Sequence, residues 1–143
     1  MQNIQLIGIK SCEARKKEIN NKMNETELLK NYSKSDEKLE FQSKKYGAFA
    51  PFINSYHSGE GLIGENSYLI LWDKDELEEL NDAYEVKEFL SDCILIGSDG
   101  GDTGYGINIK GFFFSVPFIG MSNETITILG KNYIEFLENL YNV

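Results

Sequence analysis

The sequence predicts a single α+β domain, and three observations carry that prediction. Short apolar runs of strand length, YLILW at 68–72 and CILIG at 93–97, are bounded by polar residues and glycine. Segments with helical spacing lie between and after them, at 73–86 and 131–141. The chain has 143 residues, close to the commonest domain length, with no internal repeat or linker. Helices first, then hairpin-connected strands with helices between and after them, is the order of an α+β fold.

Residues 1–10 (MQNIQLIGIK) alternate loosely, as a short edge strand or an unpacked tail would. From Cys12 to Lys45 the chain is polar and two helical stretches are expected. Asn24 precedes E-T-E with Glu27 at the third helical position, an N-cap arrangement, and Leu28 and Leu29 follow. Ser35–Lys45 (SDEKLEFQSKK) starts with Ser/Asp and has few apolar residues, so it is expected to be a surface helix. After Gly47, Pro51 fits only the first turn of a helix, which places a short helix at 50–57. Ser58-Gly59-Glu60-Gly61 would end it, since glycine suits the left-handed conformation that follows a helix.

Tyr68–Trp72 is then a buried strand, and Asp73 or Asp75 caps a helix whose apolar stripe is Leu77, Leu80, Tyr84 and Val86. Cys93–Gly97 is a second buried strand leading into the glycine-rich stretch 97–106. Strands at 107–109 and 112–116 flank Lys110-Gly111, and 126–129 (ITIL) forms a further short strand or turn. The last helix places Tyr133, Phe136/Leu137 and Leu140/Tyr141 on one face.

Composition bounds the function. Apolar residues make up 41% and aromatic residues 13%, enough for one packed core and too much for a globally disordered chain. The longest near-apolar stretch, Gly111–Met121, is shorter than the ~20 residues of a membrane-spanning helix. The basic residues near the N-terminus follow the apolar run, the reverse of a secretory signal, so a cytoplasmic protein is expected. Cys12 and Cys93, with a single histidine, make neither a zinc cluster nor a disulfide framework. Both are expected to be reduced thiols, with Cys93 in or beside a strand. The net charge of −9 is uneven: residues 1–45 carry +3 and residues 46–143 carry −12. So acidic a body repels phosphate backbones and anionic lipid and attracts a basic partner.

No motif assembles a catalytic site. The stretch GSDGGDTGYG lacks the Gly-Lys-Ser/Thr ending of a phosphate loop, is followed by strand rather than helix, and carries Asp99 and Asp102. A tight turn between strands is the expectation. Residues 73–85 lack the central glycine of an EF-hand loop, and no G-x-S-x-G elbow accompanies His57, which is expected to be a polar helix-end residue. Residues 73–92 hold nine acids against two lysines, a solvated acidic face from which no acid/base pair stands out. No catalytic residue, cofactor or metal ligand is assigned.

Four pieces in order carry a resemblance to a known family: FINSYHSGEGLIGENSYLILW (52–72), DKDELEELNDAYEV (73–86), CILIGSDGGDTGYGI (93–107), and FFSVPFIGM (113–121) with KNYIEFLENL (131–140). Over about residues 46–143 the chain resembles the SUKH superfamily. That group contains bacterial toxin-immunity proteins and fungal glucan-synthesis regulators of the Smi/Knr type. It departs from the family pattern at Ser58-Gly59-Glu60, where Asn-Gly-Gly is usual, and at Tyr46-Gly47, where Leu-Pro is usual. The resemblance implies an α+β fold with a mostly antiparallel sheet flanked by helices, and no catalytic residues. It further implies an immunity protein that binds and occludes a toxin of nuclease or deaminase type, or else a cell-wall-synthesis regulator with no toxin partner. A weak homodimer is left open. Partner-contact residues are assigned to acids beside turns: Glu60, Asp73, Asp75, Glu76, Asp99 and Asp102. A third reading, a small-molecule site at the glycine loop, requires a pocket lined by Asp99, Asp102 and His57.

Overall fold

The computed structural model describes residues 23–38, 44–53 and 56–143. Seven strands form one sheet in chain order: β1 (Tyr32–Lys38), β2 (His57–Ile63), β3 (Ser67–Leu71), β4 (Cys93–Ser98), β5 (Thr103–Asn108), β6 (Phe113–Pro117) and β7 (Thr127–Gly130). Every neighbouring pair is antiparallel. Helices α1 (Glu25–Leu28), α2 (Ala50–Ile53), α3 (Lys74–Ala83), α4 (Val86–Phe89) and α5 (Tyr133–Tyr141) flank it, which makes the chain an α+β domain.

Helix starts follow their capping chemistry. Asn24 accepts from the amide of Glu27 at 2.9 Å, and Asn132 accepts from that of Glu135 at 2.9 Å. Asp73 and Glu76 form a reciprocal capping box, with Asp73 Oδ1 accepting from the Glu76 amide at 2.8 Å. Pro51 sits in the first turn of α2, where its missing N–H costs nothing. On α5, Phe136, Leu137 and Leu140 are buried against the sheet as their spacing requires. Tyr84 departs from its expected place in the core: it is 38% exposed and stacks on Phe118 with ring centroids 4.4 Å apart.

Two expectations fail together. Ser35–Lys38 belongs to β1, not to a surface helix, and Ser58–Gly61 lies inside β2, not at a helix end. The expected helix at 50–57 is described over Ala50–Ile53, residues 54–55 lie outside the described residues, and His57 opens β2. The cause is mutual. β1 pairs with β2 through Tyr32↔Gly61, Ser33↔Glu60 and Lys34↔Gly59. A Cβ on Gly59 would lie 2.0 Å from the Ser33 carbonyl oxygen, and one on Gly61 would lie 2.2 Å from that of Asn31. These glycines therefore admit the β1 backbone. Among the described residues β1 is the edge of the sheet, where charged side chains discourage pairing with another molecule, so its sequence looks unlike a strand. Residues 1–10, Cys12 and the 39–43 part of the expected surface helix lie outside the described residues.

The glycine-rich stretch is a turn, as expected, but only a short one. Gly97 lies in β4, Gly104 and Gly106 lie in β5, and the connection is 99–102. A Cβ on Gly106 would stand 2.4 Å from Phe114 Cζ, so this glycine makes room for an aromatic ring across the β5–β6 ladder. The turn at 109–112 is closed by Asn108 Oδ1, which accepts from the amides of Lys110 at 2.9 Å and Phe112 at 3.0 Å.

The β3–β4 ladder is short, with Ile70↔Ser98 and Leu71↔Gly97 only, followed by a bond from the Trp72 amide to the Ile96 carbonyl at 2.9 Å. The chain then leaves the sheet because Asp73 caps α3. That exit would strand the backbone of Leu95, which is fully buried. Asn81 of α3 takes the place of the missing strand. Its side-chain amide donates to the Leu95 carbonyl at 2.7 Å, and its carbonyl accepts from the Leu95 amide at 2.8 Å.

Candidate partner-binding surface

The register of β2 and β3 sorts their side chains between two faces. Glu60 pairs with Ile70 and Leu62 with Tyr68, so these four share one face, while Ile63, Leu69 and Leu71 are buried on the other. On the outer face Leu62 is 44% and Tyr68 36% exposed. The Tyr68 hydroxyl donates to the Glu60 carboxylate, and this bond raises the phenol's pKa above its ordinary value. Gly100 of the β4–β5 turn lies against Tyr68 and Ile70, with van der Waals spacing for a Cβ to both side chains. Glu60 and the turn bearing Asp99 and Asp102 therefore border one mixed apolar and acidic surface.

The other expected acids stand elsewhere. Asp73, Asp75 and Glu76 are exposed at the start of α3, beyond the far end of β3. That places them ~16 Å from Tyr68 along an extended chain. Besides Glu60, which accepts from Tyr68, three of the six acids bond within the fold. Asp73 and Glu76 hold the capping box, and Asp99 Oδ1 accepts from the amides of Gly101 at 2.8 Å and Thr103 at 3.2 Å to close its turn. The carboxylates of Asp75 and Asp102 are exposed and bond to nothing among the described residues.

His57, at the start of β2, uses Nδ1 to donate to the Ser35 carbonyl at 3.1 Å, which ties β1 to β2. Since a carbonyl only accepts, Nδ1 carries a proton. The recess at the β4–β5 turn includes Asp99 but neither Asp102 nor His57, so the three residues required for a glycine-loop site are not brought together. Cys93 is a half-buried free thiol in β4, pushed up to about 11 by burial and then by the charge of Asp92. It is thus a poor nucleophile at neutral pH. Among the described residues no group of three or more His, Cys, Asp or Glu side chains is placed to hold a metal ion. No helix among them is long and apolar enough to cross a membrane.

Sequence patterning missed the apolar component of this surface. Reading Tyr68–Trp72 as continuously buried hid the outward side chains of Tyr68 and Ile70, and assigning Gly61 to a helix end hid Leu62. The residues of S-Y-L-I-L face buried, exposed, buried, half-buried, buried, and no apolar/polar alternation in the sequence signals it, because polar Ser67 points inward and apolar Tyr68 and Ile70 point outward. No protein-family model matches the chain, and no curated protein is significantly similar to it in sequence.

Proposed function

We propose that this domain is a non-catalytic, cytoplasmic protein-binding module of the SUKH kind, an immunity protein that occludes a basic toxin domain of nuclease or deaminase type. The observation that carries the reading is the outer face of β2–β3. There exposed Leu62 and Tyr68 flank Glu60 beside the Asp99–Asp102 turn. An aromatic and an aliphatic side chain bordered by carboxylates suit a protein partner with basic residues around an apolar anchor. The charge of −12 on residues 46–143 would speed encounter with such a partner.

The test is co-purification of the native protein with its partner, followed by binding measurements on Glu60→Lys with Asp102→Lys, and on Leu62→Ser. Neither acid closes a turn or caps a helix, so these variants probe binding rather than folding. The double reversal is expected to weaken binding by about tenfold or more and to flatten its salt dependence. Unchanged affinity in both variants overturns the assignment of this face. A partner that proves to be a cell-wall-synthesis protein replaces the toxin reading with the regulator one.

A further inference from the structure

A recess of about 390 Å³ opens beside the β4–β5 turn, between the start of β3, the strands β5–β7 and the last turn of α5. Hydrogen bonds from the Ser67 hydroxyl to the Leu140 carbonyl at 2.6 Å and from the Asn66 amide to the Val143 carbonyl at 3.0 Å fix one wall. Asp99, Thr103, Tyr105 and Ser115 supply its polar lining, and Leu129 and Leu140 supply apolar lining. Tyr105 is only 6% exposed, yet its hydroxyl has no hydrogen-bond partner among the described residues. It lines the recess, so it is available to bond to whatever occupies that space. Asp99 has a similar surplus: Oδ1 closes the turn, while Oδ2 bonds to nothing among the described residues.

The lining selects by charge. Asp99 supplies its one side-chain carboxylate beside several hydroxyls, and no Lys, Arg or His side chain lines it, so an anion would be repelled and a cation attracted. The Tyr105 phenol is pushed up to about 12, by burial first and then by the charge of Asp99, so it remains neutral and able to accept at neutral pH. We propose that this recess binds an alkylammonium group, its charged head against Asp99, Tyr105 and Ser115 and its methylene stem along Leu129 and Leu140. The cation can come from a lysine side chain of a protein partner or from a free amine; the chemistry of the site is the same. The recess shares Tyr68 and Asp99 with the outer face of β2–β3, but neither Glu60, Leu62 nor Asp102 lines it, so variants at those three positions test the toxin reading without touching the recess.

The experiment is a titration of the full chain with n-butylammonium chloride, followed by amide and side-chain NMR shifts, with n-butanol and potassium chloride as controls. Saturable shifts confined to the β4–β5 turn, the start of β3 and the last turn of α5 are expected with the amine alone. Asp99→Asn keeps the turn acceptor and Tyr105→Phe keeps the ring, and each is expected to weaken binding about tenfold, as loss of one charge-assisted hydrogen bond would. Equal shifts from n-butanol, shifts that follow the surface acids generally, or no saturable shift overturn the proposal on the unmodified chain alone. Undiminished binding in both variants overturns it as well. An end-blocked lysine tripeptide and putrescine then separate the sources. Tighter binding of the peptide assigns the recess to a partner's lysine, and tighter binding of the diamine assigns it to a free amine. Absence of a saturable shift with the amine overturns the recess alone, since partner affinity is read separately on the Glu60, Leu62 and Asp102 variants. Unchanged partner affinity in those variants overturns the outer face alone, since none of the three lines the recess.

Discussion

Replacing Asn81 tests the claim that a side chain stands in for a strand. Asn81 is 5% exposed and makes three bonds, to the Leu95 amide at 2.8 Å, to the Leu95 carbonyl at 2.7 Å and to the Leu77 carbonyl at 2.8 Å. The Leu77 carbonyl already accepts within α3, so its loss matters little. Leu95 is fully buried, and Asn81→Ala leaves both its N–H and its C=O without a partner. Each orphaned group costs about 1–3 kcal/mol. Water entering the space vacated by the amide recovers part of that, which places the net loss at about 2–4 kcal/mol. Asn81→Leu fills that space with apolar atoms and is expected to lose as much or more. Asn81→Asp still accepts from the Leu95 amide but, ionised, sets a charge against two carbonyls. Its folded-state pKa would rise above the unfolded value of about 3.9. Its stability is therefore retained below that pH and lost as pH rises, the opposite of an ordinary paired carboxylate. The assay is urea unfolding followed by circular dichroism. With a slope of about 1–3 kcal/mol per molar, the Ala variant's midpoint falls by about 1–2 M at unchanged slope. Asn66→Ala, which removes an exposed amide with one bond, serves as the control and should stay within about 0.5 kcal/mol. An Asn81→Ala loss no larger than the control's refutes the strand-substitute argument.

Gly106→Ala sets a methyl group 2.4 Å from Phe114 Cζ and 2.5 Å from the Ile94 carbonyl oxygen, and is expected to cost about 1–3 kcal/mol by thermal unfolding. Glu85, between α3 and α4, has φ 53, so Glu85→Gly should raise stability by up to about 1 kcal/mol where Glu85→Ala does not. Alkaline pH should unfold the domain through its buried tyrosines. Burial raises Tyr32, Tyr56, Tyr105 and Tyr133 above the ordinary 10, with Tyr105 at about 12. The neutral phenol is favoured in the fold, so the stability these groups contribute is complete below pH 10 and is lost as pH rises through 10 toward the folded-state values. Tyrosinate absorbance and ellipticity should then change together. A stepwise titration of these tyrosines in an intact fold would contradict the prediction.

Whatever is decided within a few residues is legible in the sequence. The pairs Asn24–Glu27 and Asp73–Glu76 mark two helix starts, because the cap and the amide it satisfies are three positions apart; the same spacing at Asn132–Glu135, which was not among the expected caps, marks a third. The apolar runs of β3 and β4 and the helical stripe of α5 were legible for the same reason: burial repeats with the period of the element. Of the candidate surface, the acids could be read but not their grouping. Only the folded structure shows that Glu60 meets Tyr68 across the β2–β3 ladder, while Asp73, Asp75 and Glu76 stand apart. β1 was misread because an edge strand gains its stability from backbone bonds to β2 and needs no apolar side chains to declare it. Gly59 and Gly61 resembled a helix terminator because their real reason, the Ser33 and Asn31 carbonyls, comes from more than 20 residues away. Asn81 was one polar residue in an acidic helix until β4 came to lie beside it. Local chemistry fixes caps, turns and faces; which backbone groups are left in need of a partner is settled only when distant segments meet.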